Sequence, residues 1–147
     1  MSEKSEIERV LDNWEIDSKI DNTEYAKELN KIPNLHSKYI RVMMVHSSKM
    51  KKLQYDMMKL RKWKSDYYNG RMPKEELAQR NLQPYKFILK TEAKDYIDAD
   101  DDVMALSMRL AAHEEIVTLC QSIIRELNNR GYNLKAAAEW ERFIAGS

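Results

Sequence analysis

An all-α fold is what this sequence predicts, and three observations carry the prediction. Five Val and two Phe among 147 residues are too few for a sheet-rich domain, whereas Lys, Glu, Leu, Met and Ala abound. Clean two-residue alternation never lasts beyond about three or four residues, while apolar side chains recur at steps of three and four along most of the chain. Glycine and proline number only three each, which excludes collagen-like and low-complexity chains and leaves room for long uninterrupted helices. The expected architecture is a set of long amphipathic helices with coiled-coil-like seams, a small mixed loop and helix region in the middle, and assembly as a homo-oligomer. Residues 1–101 form the N-terminal region with a basic helix at about 34–68, and residues 102–147 form a C-terminal helical oligomerisation region. The length suits one compact domain rather than two independent ones.

The first helix is expected from Ser5 to about Lys19, with Ile7, Val10, Leu11 and Trp14 on one face and its acids early, where the helix dipole favours them. Asp21-Asn22-Thr23 breaks it, with Asn22 or Thr23 as the cap of a short helix that carries Tyr25, Leu29 and Ile32. Pro33 is expected to end or kink that helix. From Asn34 to about Tyr68, Leu35, Tyr39, Val42, His46, Met50, Leu53, Met57, Leu60, Lys64 and Tyr67 fall within an arc of about 100° at the helical repeat. Asn69-Gly70 supplies a left-handed C-cap, and Pro73 prevents resumption. Pro73 to Leu82 reads as a short helix broken by Pro84. Tyr85 to Ile97, with Phe87, Ile88 and Leu89, reads as mixed loop and helix, a small hairpin being the alternative.

The clearest helix follows. Val103, Leu106, Leu110, His113, Val117, Cys120, Ile124 and Leu127 step alternately by three and four, a seam of about three and a half heptads. Ile116, Leu119 and Ile123 widen its apolar face. Asn128-Asn129-Arg130-Gly131 is expected to stop it, and Asn133 to cap a last helix through Ile144 with Leu134, Ala137, Trp140 and Phe143. That last helix is too short and too apolar to stand free, so it must dock on the chain's own core or on a neighbouring subunit.

Net charge is +1, but the distribution is uneven. Residues 1–28 hold nine acids against four bases, a local charge of −5. Residues 38–64 hold nine bases against Asp56 alone, for +8, and residues 91–103 hold six acids against Lys94, for −5. On a helical projection Arg41, Lys51, Lys52, Tyr55, Lys59 and Lys62 share one face opposite the apolar seam, with no partner at helical spacing to neutralise the lysines. Cations that follow phosphates, with Tyr55, Trp63, Tyr67 and Tyr68 nearby to stack on bases, suit single-stranded nucleic acid. An acidic protein partner, an anionic membrane surface and a merely solvated face are the other readings of such a helix.

Catalytic chemistry is not expected. The glycines are 61 and 15 residues apart, so no phosphate loop exists. His36, His46 and His113 show no metal-ligand spacing, and His46 and His113 lie on apolar seams. Asp98 to Asp102 lack the glycine and terminal glutamate of a calcium loop and read as a charged helix N-terminus. One cysteine, Cys120, excludes an intramolecular disulfide framework and a Cys-rich zinc site. No apolar run reaches the ~18 residues of a membrane span, and the N-terminus has no signal-like segment. A soluble intracellular non-enzyme without metal or cofactor is the expectation.

Asp66-Tyr67-Tyr68-Asn69-Gly70-Arg71, preceded by the basic stretch, resembles the Asp-Tyr-Tyr-Ser-Gly-Arg segment of the UvsY-type recombination mediators of tailed bacteriophages. Ile20-Asp21-Asn22-Thr23 through Leu35-His36-Ser37-Lys38-Tyr39 to Arg71 is similar to the same family without a gap. So is the ending from Arg130-Gly131-Tyr132 to Phe143-Ile144-Ala145-Gly146. The likeness covers most of the chain beyond residue 19 and is weakest in residues 1–19 and 72–102. It implies a non-catalytic accessory protein of homologous recombination in the cytoplasm of an infected bacterial host. Such a protein binds single-stranded DNA, forms a homo-oligomeric ring, and helps a phage RecA-like recombinase replace the phage single-strand-binding protein. The family's Lys-x-Arg pair before Asp-Tyr-Tyr falls on Lys62 and Lys64, where the second position keeps charge but loses the planar fork of Arg. Lys64 also lies on the seam side, so it either snorkels or requires the helix to unwind before Ser65.

The candidate DNA-binding set is therefore Arg41, Lys51, Lys52, Tyr55, Lys59, Arg61, Lys62, Lys64, Tyr67, Tyr68 and Arg71. The candidate oligomerisation set is Val103, Leu106, Leu110, Val117, Ile124, Leu127, Leu134, Trp140 and Phe143. The competing reading is a structural coiled-coil scaffold without nucleic-acid binding, its lysines answered by its own acidic blocks.

Overall fold

Among the described residues there are five helices: α1 (Glu6–Asp17), α2 (Tyr25–Tyr68), α3 (Lys74–Gln79), α4 (Lys90–Asp98) and α5 (Asp101–Gly146). The computed structural model describes residues 3–85 and 89–146, with only the backbone of Lys90. No strand occurs among the described residues; the hairpin alternative at Phe87 and Ile88 lies outside them. The fold is all-α, as composition and periodicity predict. Two compact units divide it, one from residues 1–48 and 112–147, the other from residues 49–111. The division expected at residue 101 marks the start of α5 and falls inside the second unit.

The first unit is built on apolar periodicity. Val10, Tyr39, Ile116, Cys120, Ile123 and Leu127 are buried together, with Ile7, Trp14, Leu35, Val42, Met43, Leu119 and Ile124 against them. Each fully buried Ile or Leu contributes roughly 1.5–3 kcal/mol over its exposed state. Ser5 caps α1 by accepting from the Glu8 amide at 3.4 Å. At the other end, the Asp17 carboxylate accepts from Lys38 at 2.6 Å and from the Tyr39 hydroxyl at 2.8 Å. Burial would raise that carboxyl, but the Lys38 and Tyr39 hydrogen bonds win and hold it below the usual range.

Three expected interruptions differ. Asp21, rather than Asn22 or Thr23, organises the turn before α2, accepting from both the amide and the hydroxyl of Thr23. Pro33 lies inside α2 and neither ends it nor separates a short helix from a long one. It is exposed, where water can replace the amide donor it lacks. Asn128 to Gly131 do not stop α5, and Asn133 caps nothing, because α5 runs through to Gly146. Arg130 is buried there and donates to the Asp17 and Ser18 carbonyls at 3.4 and 2.9 Å, which would otherwise end α1 unpaired. Leu127 and Leu134 carry the buried stripe across Gly131.

The second unit uses turn chemistry more than area. Gly70, at φ +71°, ends α2 in a Schellman motif: its amide reaches the Tyr67 carbonyl at 3.1 Å and the Arg71 amide the Asp66 carbonyl at 2.8 Å. Asn81, at φ +56°, ends α3 in the same way, with Asn81 to Ala78 at 3.2 Å and Leu82 to Leu77 at 2.9 Å. Leu53, Met72, Leu77, Ala93, Ile97 and Val103 are its buried apolar residues.

A continuous α5 makes Gly131 a mid-helix glycine. A Cβ added there meets only the Ile32 Cδ1 at 3.8 Å, an ordinary contact. Gly131→Ala is therefore expected to raise stability by about 0.8–1 kcal/mol in urea unfolding followed by helical circular dichroism. A loss of stability would place a helix break at this position.

Candidate nucleic-acid interface

Within the second unit, the outer side of α2 presents Lys51, Lys52, Tyr55, Lys59 and Lys62 to solvent. The spacing 51, 55, 59, 62 is the i, i+4, i+8, i+11 line of one helix face. Lys51, Lys52 and Lys59 have no carboxylate within ion-pair distance among the described residues. Lys62 is 81% exposed at its side chain and only 3.7 Å from Asp66, which is also 3.8 Å from Arg71. Tyr55 stands among these cations with 66% of its surface open. Such a face can follow a chain of phosphates while a ring lies flat against a base. Arg41 is exposed on the part of α2 that belongs to the first unit.

The inner side of the same helix behaves differently, and two of its cations are paired with carboxylates. The sequence suggests that no partner neutralises the basic helix, but Arg61 donates to Asp98 at 2.8 Å. Lys64 is only 8% exposed, with its Nζ 3.0 Å from Asp100 and 2.8 Å from Asp102. The helix does not unwind before Ser65, and the amine does not snorkel to water. Burial alone would lower the Lys64 amine, yet the hydrogen bonds to Asp102 and Asp100 outweigh it and raise it. Burial likewise pushes Asp100 up, but Tyr68, Lys64 and the Val103 amide together hold it below the usual carboxylate range. Asp100 also caps α5, accepting from the amides of Asp102 and Val103 at 2.9 and 3.2 Å. The charged N-terminus read from Asp98 to Asp102 is thus real, and it doubles as the counter-charge for Lys64.

The aromatic candidates divide as well. The Tyr68 hydroxyl donates to Asp100 at 2.7 Å, and burial followed by that bond pushes its ionisation far up. Tyr67, Tyr68, Tyr85 and Tyr96 form one cluster with centroid separations of 4.9 to 6.0 Å. Tyr67 and Tyr85 edge a groove of about 230 Å³ floored by Met72 and Leu77. Trp63 has its ring taken by Lys64 at 4.3 Å and Arg80 at 4.1 Å. Asp100, Tyr85 and Tyr96 were missed from the sequence. Their signal was the seam position of Lys64, which demands a nearby carboxylate, and an acidic block was at hand.

Of the oligomerisation candidates, Val103, Leu127 and Leu134 are buried within the chain, and Leu106, Leu110, Val117 and Ile124 are half-buried. Trp140 and Phe143 are 62% and 67% exposed, stacked on each other with centroids 5.7 Å apart. No helix among the described residues is long and apolar enough to cross a membrane.

Among the described residues, a cationic, tyrosine-bearing helix face with an internally neutralised inner side has the make-up of a nucleic-acid-binding protein. A sequence family described as "Recombination, repair and ssDNA binding protein UvsY" matches residues 13–147, and the chain belongs to that family. The recombination protein uvsY of Enterobacteria phage T4 is 23% identical over 140 residues, covering 95% of this chain and 98% of that one. A crystal structure of the bacteriophage T4 recombination mediator protein UvsY, in lattice type II, superposes with a TM-score of 0.85 at 21% identity. The match covers 97% of this chain and 99% of that one. A second crystal form, lattice type IV, gives a TM-score of 0.81 over 95% and 98% of the two chains, also at 21% identity.

The Asp100 and Lys64 shifts set a pH dependence. A carboxyl held low stabilises above its unfolded value, about pH 4, and its contribution is lost as pH falls through the folded value. A raised amine stabilises below its unfolded value, about pH 10.4, and loses its contribution only as pH rises through the folded one. Asp100→Asn keeps a capping side chain but removes the charge, so at pH 7 it is expected to cost roughly 1–3 kcal/mol in urea unfolding. The gap from wild type should narrow as pH drops below about 4. An equal gap at every pH would show that the charge is not what Asp100 contributes.

Proposed function

We propose that this chain is a recombination mediator that binds single-stranded DNA along the outer face of α2 and helps load a RecA-like recombinase onto strand covered by single-strand-binding protein. The observation that carries the reading is the row of exposed Lys51, Lys52, Lys59 and Lys62 around an open Tyr55, beside inner cations that are already neutralised. Its contacts are to backbone phosphates and ring faces, so binding has little base preference. Arg61 and Lys64 hold the face in place from behind, and Tyr67, Tyr68 and Arg71 shape its end.

The stacked and exposed Trp140 and Phe143 suit contacts between subunits, and a ring would align several cationic faces along one strand. A strand held in a wrapped path by many weak lysine contacts loosens from the binding protein and gives the recombinase a place to nucleate. The phage recombinase and single-strand-binding protein are then its partners, the host cytoplasm is its place of action, and no catalytic step of its own is needed. The scaffold reading has one observation in its favour, the internal pairing of Arg61 and Lys64, but it leaves the outer lysines without a role.

Binding of fluorescent oligo-dT across a salt series tests this. Each lysine lost from the interface flattens the log–log salt slope by about 0.7, so Lys51→Ala/Lys59→Ala should flatten it by about 1.4 while leaving unfolding midpoints in place. Lys64→Ala should instead lower stability, because it strands the Asp100 carboxylate. Absence of binding by the wild type at low salt would overturn the proposal and leave the scaffold reading.

A further inference from the structure

Two histidines that the sequence separates by 67 residues meet inside the first unit. The Nδ1 of His46, on α2, lies 2.9 Å from the Nδ1 of His113, on α5. The rings are tilted by 33° with centroids 5.1 Å apart, so the two Nδ1 atoms face each other across the contact and the rings do not stack. Glu6, in the first turn of α1, brings its Oε2 to 3.9 Å from the His46 nitrogen. All three ligand atoms lie within 4.8 Å of one another.

We propose that Glu6, His46 and His113 form a binding site for a divalent transition-metal ion, zinc by the chemistry of its donors. Two imidazoles and one carboxylate are the borderline-soft set that zinc takes, whereas calcium and magnesium call for six or more oxygens. The distances fit such an ion. With metal–nitrogen bonds of about 2.0–2.1 Å, two ligands at a tetrahedral angle stand roughly 3.3–3.4 Å apart, and at a right angle roughly 2.9 Å. The histidine nitrogens need open by no more than about 0.5 Å; the carboxylate must close by about 0.5 Å on the His46 side and by up to about 1.4 Å on the His113 side. Both adjustments are movements of side-chain torsions, and Glu6 is exposed.

Binding exchanges the hydrogen bond between the rings for two metal–nitrogen bonds, and the donor ring changes tautomer, giving up its Nδ1 proton and carrying one on Nε2, so that both rings coordinate as neutral imidazoles. Three protein ligands leave a fourth position for a water. The three donors come from three helices. The C-terminal end of α1 is already held by Lys38, Tyr39 and Arg130, and the ion would hold its N-terminal end to α2 and α5. The site is therefore a structural clip on the first unit, and it stands apart from the lysine face and its function.

The full-length protein, stripped with a chelator, is titrated with Co²⁺ as a spectroscopic probe and then with Zn²⁺ in competition. The expected result is one ion per chain, with the visible d–d absorption of a four-coordinate cobalt site that zinc abolishes, and a rise in thermal midpoint on zinc binding. His113→Ala should remove the absorption. Glu6→Gln, at an exposed position that leaves the fold intact, should weaken binding by about tenfold or more, since loss of even an outer partner of a ligand costs that much. His36→Ala, which alters the histidine outside the cluster, should change nothing. A wild-type chain without the cobalt spectrum would overturn the proposal. So would binding that survives both His113→Ala and Glu6→Gln, or that is lost in His36→Ala.

Discussion

The ammonium of Lys64 occupies a position where the periodicity of α2 places an apolar side chain. A charge taken out of water is tolerable only if opposite charge meets it at hydrogen-bonding distance, and Asp100 and Asp102 do so at 3.0 and 2.8 Å. Much of the second unit follows from that requirement. It ties the end of α2 to the start of α5, where Asp100 is at once counter-ion, helix cap and acceptor for Tyr68. Tyr68 in turn anchors the tyrosine cluster with Tyr67, Tyr85 and Tyr96. With Asp98, Asp100 and Asp102 committed inward to Arg61 and Lys64, Lys51, Lys52 and Lys59 keep no carboxylate within ion-pair distance among the described residues. The cationic face is thus the remainder of a charge balance struck on the other side of the helix.

The first unit solves a different problem. Its core is apolar, and the polar side chains at its margins serve backbone groups that would otherwise be orphaned. Arg130 reaches the last carbonyls of α1, while its aliphatic stem belongs to a helix that needs no stop at Gly131. Trp14 and Tyr39 meet edge to face at 5.5 Å, which orients the Tyr39 hydroxyl toward Asp17. Beyond Leu134, Trp140 and Phe143 stack on each other and stay exposed.

The expected Lys-x-Arg-like pair at Lys62 and Lys64 and the charge pattern single out the same helix, and they divide its residues differently. The structure separates them, with Lys62 open to water and Lys64 enclosed by carboxylates. Substituting the two together would confound a binding effect with a folding one.

The all-α class, the existence of the two long helices, the left-handed cap at Gly70 and the outward face of Lys51, Tyr55 and Lys59 were legible in the sequence, because each rests on local rules: helix propensity, the 3.6-residue repeat and the freedom of glycine at positive φ. The helix ends at Pro33 and at Asn128 to Gly131 were misread for the same reason. Local signals favour a break there, and only long-range packing, with Arg130 and the Leu127–Leu134 stripe holding α5 together, outweighs them. The partners of Arg61 and Lys64, the four-tyrosine cluster and the meeting of Glu6 with His46 and His113 join residues tens of positions apart, on helices whose contacts no single-helix periodicity encodes. Sequence determined which face of each helix is apolar and which is charged. Tertiary structure decided which charges are spent inside the molecule, because the cost of burying a charge depends on what lies beside it in space and not on what lies beside it in the chain.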